Sequence, residues 1–115
     1  MSDLQAITER LLRFRREREW EQFHNVKDQI LSLTLEAAEL LELTQWRDGE
    51  ALDAHLVEQK EALADELCDV LGWVLLIAHD RGIDLPTAFE GKMVRNEAKY
   101  PVERAKGRAT KYRDL

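Results

Sequence analysis

Leu33-Thr34-Leu35-Glu36-Ala37-Ala38-Glu39-Leu40-Leu41-Glu42-Leu43 is the stretch on which the reading of this chain turns. At about 100° per residue, Leu33, Leu40 and Leu43 fall close around Glu36 on a helix. Glu39 lies about 60° to one side, flanked by Leu35 and Leu43. Both carboxylates therefore sit on the apolar stripe, while Glu42 falls further round, toward water. A second segment repeats the arrangement. Leu63, Val70, Trp73 and Ile77 surround Glu66, and Asp69 follows it at i+3.

Two helices thus each carry an i, i+3 pair of acids within the face that should pack. Burying one uncompensated carboxylate costs several kcal/mol, and no Lys or Arg shares these stripes. Four such groups would outweigh the net stability of a small domain. Hard divalent cations with oxygen ligands relieve this, and Mg²⁺ is the usual choice where phosphates complete the coordination. A single ExxE or ExxD is more simply a solvated helix face. Two pairs, both inside apolar stripes, point to a metal site built from Glu36, Glu39, Glu66 and Asp69. A di-iron bundle is disfavoured, because neither Glu36 nor Glu66 is followed by His at i+3. His79-Asp80 reads as a helix-end pair favoured by the dipole.

Working outward, apolar residues recur at helical spacing throughout and strand-like alternation is absent, so the expected class is all-α. A first helix is expected from about Asp3 to Glu19, capped by Ser2 or Asp3, with a stripe of Leu4, Ile7, Leu11, Leu12 and Phe14. Trp20 to His24 forms a bend. Asn25 caps a second helix, Val26 to about Arg47. Asp48-Gly49-Glu50 is a turn signal. A third helix runs from about Asp53 to Arg81 and ends at Gly82. A fourth starts at Asp84-Leu85-Pro86 and continues to about Lys99, stopping before Pro101. Residues 1–102 are expected to form a single domain of four bundled helices, and 103–115 a basic tail with five Lys/Arg.

The chain has 115 residues and a net charge of −6, which disfavours binding to nucleic-acid polymers but not to a small anion met through cations. A chain this short with long helices makes deep pockets mainly between subunits, which favours an oligomer. The single cysteine, Cys68, allows neither an intramolecular disulfide nor a cysteine-based zinc site. The N-terminus lacks the pattern of a signal peptide, and Val70 to Ala78 is too short to span a bilayer. A cytoplasmic protein with no membrane partner is expected. No Gly-rich lysine loop of the P-loop type is present.

Glu36-x-x-Glu39, followed after 26 residues by Glu66-x-x-Asp69, resembles the signature of the all-α nucleoside triphosphate pyrophosphatase superfamily, the MazG-like group. Trp20-Glu-Gln-Phe-His24, Gln45-Trp46, Asp84-Leu-Pro86 and Lys92-Met-x-x-Asn96-x-x-x-Tyr100-Pro101 are similar to its dCTP pyrophosphatase branch. The resemblance covers roughly residues 4 to 113. It implies a four-helix, homo-oligomeric Mg²⁺ enzyme, dimer or tetramer, that cleaves a nucleoside triphosphate, dCTP or a modified dCTP, to the monophosphate and pyrophosphate. It also implies roles for individual residues. Glu36, Glu39, Glu66 and Asp69 match the metal ligands, with Glu36 or Glu39 helping to activate water. Trp20, Trp46 and Trp73 match base-stacking aromatics, and Lys92, Asn96 and Tyr100 match the motif that holds the triphosphate. Two positions depart from the pattern. A histidine that relatives use near the base is Leu11 here, and an arginine before the Tyr-Pro is Lys99.

The alternatives are a dUTPase-like specificity and a non-enzymatic helical interaction module. The stacking role of Trp73 has support apart from the resemblance. It lies just beyond Asp69 on the stripe of Glu66, so it should border the acids and offer a flat face to a base.

Overall fold

The computed structural model describes residues 2–115. Six α-helices and two short 3₁₀ turns account for most of the chain, and no strand occurs among the described residues. The all-α expectation holds. The chain divides into two compact units, one ending at Arg81 and one spanning Gly82–Leu115.

In the first unit, α1 spans Asp3–Glu17. The Ser2 hydroxyl accepts the backbone N–H of Gln5 at 3.1 Å and so caps it. The helix stops where Glu19 turns left-handed at φ 55° and the N–H of Trp20 returns to the Arg15 carbonyl. A 3₁₀ turn, Glu21–Phe23, fills the predicted bend. The second helix, α2, spans Val26–Glu42, and the Asn25 side chain accepts from the N–H of Asp28 at 2.9 Å. It ends five residues before the predicted Arg47, because residues 43–46 tighten into turns that finish with Trp46 at φ 69°.

The predicted third helix is two helices. The first, α3, covers Gly49–Glu58, and α4 covers Lys60–Asp80. The break is at Gln59, whose φ −99°, ψ 29° leaves the helical region although no Gly or Pro marks it. Long α4 packs against both α1 and α2, and α3 touches its start. Among the described residues the buried apolar ones, Leu75, Leu76 and Ala78, all lie near the C-terminal end of α4.

In the second unit, α5 spans Leu85–Lys99. The Asp84 carboxylate accepts the N–H of Thr87, and Pro86 sits in the first turn, as the sequence suggests. A short α6, Val102–Ala105, and a 3₁₀ turn, Tyr112–Asp114, follow. The Tyr112 ring packs edge-on against Tyr100 at 6.1 Å and lies 4.8 Å from Lys99 Nζ.

Candidate functional site

The two acidic helices face each other, since α2 and α4 are the most extensively packed pair. One carboxylate oxygen from each of Glu36, Glu39 and Glu66 lies within 4.8 Å of the others. Glu36 and Glu66 are half-buried, and each has its Oε2 covered and without a hydrogen-bond partner. Glu39 and Asp69 are exposed. One acid of each pair, Glu36 and Glu66, is thus turned partly inward, with one oxygen covered. The other lies one turn further along, at the edge of the packed face.

The electrostatics follow from this crowding. Burial, then the shared contact with Glu39 and the charges of Glu39, Asp69 and Glu66, pushes the Glu36 carboxyl up to about 7. Glu66 is raised as well, by desolvation and then by the charges of Glu39 and Asp69. Two covered, unpartnered carboxylate oxygens beside further acids form an all-oxygen donor set with excess negative charge. Such a set fits a hard divalent cation.

A cleft of about 310 Å³ adjoins the acids through Asp69, which lines its rim. Leu11, Phe14 and Arg15 of α1 and Trp20 and His24 of the bend form one side. Cys68, Gly72, Trp73 and Leu76 of α4 form the other. Phe14 and Trp20 meet edge-on at 5.6 Å, and Trp73 lies 5.1 Å from the His24 ring. Burial, followed by the positive charge of Arg15, holds His24 below its ordinary value. The cleft is lined mainly by apolar and aromatic side chains, with Arg15, His24 and Asp69 as its charged or polar groups, and is suited to a planar heterocycle.

Of the aromatic candidates, Trp20 and Trp73 line this cleft. Trp46 does not. It stands beyond the end of α2 with 91% of its surface exposed. Lys92, Asn96 and Tyr100 belong to the second unit. Lys92 is exposed and Asn96 half-buried at i, i+4 on α5, with Tyr100 at its C-cap.

Sequence reasoning missed the buried polar group that Arg15 forms beside the cleft. Arg15 is only 7% exposed and makes a two-pronged ion pair with Asp80. Gln29, 1% exposed, donates to the same carboxylate at 2.7 Å. Asp80 is therefore more than a helix-end partner of His79. The signal was available in part, because Leu4, Thr8, Leu11 and Arg15 share one face of α1. An arginine on an apolar face asks for a partner just as the misplaced acids do.

Comparison with known proteins agrees with this architecture. The MazG-like family profile matches residues 31–115. The chain is 41% identical over 104 residues to rat dCTP pyrophosphatase 1 and 39% identical to the human protein of that name. The match covers 89% of this chain and 61% of each relative, so the chain spans less than two thirds of their length. A solved pyrophosphatase from Archaeoglobus fulgidus superposes with a TM-score of 0.82 at 31% identity, over 88% of this chain and 94% of that one. This chain belongs to the MazG-like family.

Proposed function

We propose that this chain is a Mg²⁺-dependent nucleoside triphosphate pyrophosphatase, with dCTP or a modified dCTP as its substrate, acting on the cytoplasmic nucleotide pool. The observation that carries the reading is the convergence of Glu36, Glu39 and Glu66 within 4.8 Å, with Asp69 joining them to an aromatic cleft. The names of the rat and human relatives support dCTP as the substrate.

The division of labour follows from the geometry. A base enters between Trp20 and Trp73, which places the phosphates toward Asp69 and the acids. Glu36, Glu39, Glu66 and Asp69 would hold Mg²⁺, which supplies charge neutralisation for phosphate oxygens and makes nearby water more acidic. Water oxygen attacks the α-phosphorus, the bond to the α,β-bridging oxygen breaks, and pyrophosphate leaves with that oxygen. Glu36 or Glu39 accepts the water's proton at a carboxylate oxygen. Lys92 and Asn96, at i, i+4 on α5, are suited to hold a phosphate chain, and Tyr100 belongs to the same segment. Trp46, exposed and outside this cleft, would stack only on a base bound by a second subunit.

The chain works as a homo-oligomer. Leu31 and Leu35 on α2 are 54% and 56% exposed, at i, i+4, and the same face continues into Glu39. An apolar face that runs into the acids is suited to a second subunit closing over the site.

The deciding experiment is a panel of nucleoside triphosphates assayed with Mg²⁺ for pyrophosphate and monophosphate. dCTP is expected to yield dCMP and pyrophosphate, and Glu36→Gln or Asp69→Asn to abolish turnover. Full turnover by both variants, or none by the unaltered protein with any nucleotide, would overturn the reading.

A further inference from the structure

Arg15 stands where an apolar side chain would be expected, yet it is almost wholly enclosed. Its guanidinium carries five N–H donors in a rigid fork. Nη1 and Nη2 donate to Asp80 Oδ2 and Oδ1 at 2.8 and 3.0 Å, which uses the end-on pair. Nη1 also lies 3.4 Å from His24 Nδ1. Gln29 Nε2 donates to the same Asp80 Oδ2 at 2.7 Å, which adds a second tether to that carboxylate. What remains is the side-on pair, Nε–H and the second N–H of Nη2. Nε is covered and has no hydrogen-bond partner among the described residues. Leu11, one turn earlier on the same face of the cleft, has no donor to offer.

We propose that Arg15 is the base-reading residue of the cleft, its side-on fork donating to the adjacent N3 and O2 acceptors of a cytosine ring held between Trp20 and Trp73. This rests on the nucleotide reading above. Arginine forks pair with two neighbouring acceptors, and the fit discriminates between bases. Cytosine offers such a pair at N3 and O2. Uracil and thymine place an N3–H donor where the fork needs an acceptor. Guanine offers adjacent acceptors at N7 and O6. Arg15 lines the cleft beside Phe14 and Trp20, which are 45% and 44% exposed, and these side chains must shift outward enough for a base edge to reach Nε. Asp80 and Gln29 act as positioning residues that hold the fork in register.

The test measures kcat/KM for dCTP, dTTP and dGTP with Mg²⁺ in the unaltered chain, Arg15→Lys and Arg15→Met, with the melting temperature of each. Arg15→Lys keeps a cation beside Asp80 but has no fork. It is expected to fold, to lose roughly 10- to 100-fold on dCTP mainly through KM, and to change little on dTTP. An unchanged dCTP-to-dTTP ratio in Arg15→Lys overturns the proposal. So does an equal fall for all three nucleotides, which marks a purely structural role, or a preference of the unaltered chain for dGTP. Calorimetric binding of dCTP and dTTP analogues with an α,β-bridging NH separates this inference from the activity. A chain that hydrolyses nothing, yet prefers the cytosine analogue until Arg15 becomes Lys, keeps the inference and loses the hydrolase reading. A chain that binds neither analogue overturns both.

Discussion

At the scale of single residues, Glu36 and Arg15 are opposite charges with the same problem, enclosure. Burial and the neighbouring acids push Glu36 up to about 7 from 4.5. Below about 4.5, folded and unfolded chains both hold the proton. Between there and about 7 the unfolded chain ionises first, so the metal-free fold loses stability as pH rises, and above about 7 the loss is complete. Thermal melting in a chelator is therefore expected to fall across that window. Added Mg²⁺ should restore the melting point most strongly above it, and Glu36→Gln should flatten both effects. A metal-free melting point that climbs through the same window contradicts the assignment. Arg15 does have its partner. Contact with the guanidinium holds the Asp80 carboxyl below its usual range, so this pair stabilises above that range and fails only as pH falls through the depressed value. Asp80→Ala strands an enclosed guanidinium. We expect a loss of about 2 kcal/mol by denaturant titration, less than for a fully buried pair because the Asp80 side chain is 21% exposed.

At the scale of elements, the ends of α2 and α3 matter most. Trp46 adopts φ 69° while its ring faces solvent. A bulky residue there costs roughly 1–2 kcal/mol, with no local packing in return. Trp46→Gly should leave the melting temperature unchanged or raise it by a few degrees, yet raise KM for dCTP. A large fall in stability would show that the ring packs in solution. The break at Gln59 has a different origin. Gly72 is the weak point visible in the predicted third helix, yet it stays helical, whereas Gln59, a good helix former, does not. Packing of α4 against α1 and α2 outweighs local propensity there.

At the scale of the whole molecule, little apolar surface is enclosed. Leu75, Leu76 and Ala78 are the fully buried apolar residues among those described, while Ile30, Leu31, Leu35, Leu41 and Leu67 are each at least half exposed. Fully burying one such side chain stabilises by about 1.5–3 kcal/mol, so a subunit interface over α2 would add materially to a small domain. Light scattering should give at least twice the chain mass of 13.4 kDa. Leu31→Glu with Leu35→Glu should reduce it to one chain and lower the melting temperature. A single-chain mass in the unaltered protein would remove the interface and require the site to be complete within one subunit. No described helix is long and apolar enough to cross a membrane.

The sequence alone determined the helices and the two acidic pairs, because a 3.6-residue period and a side chain's place on it are local properties of the chain. Asn25 and Asp84 were legible as caps for the same reason, since a cap acts within three residues. Tertiary structure decided which acid of each pair turns inward, where the third helix breaks, and that Trp20 and Trp73 share a cleft. It also brought Arg15 to Asp80 across 65 residues and Gln29 to the same carboxylate across 51. Such pairings depend on how helices cross, and no local pattern encodes the crossing.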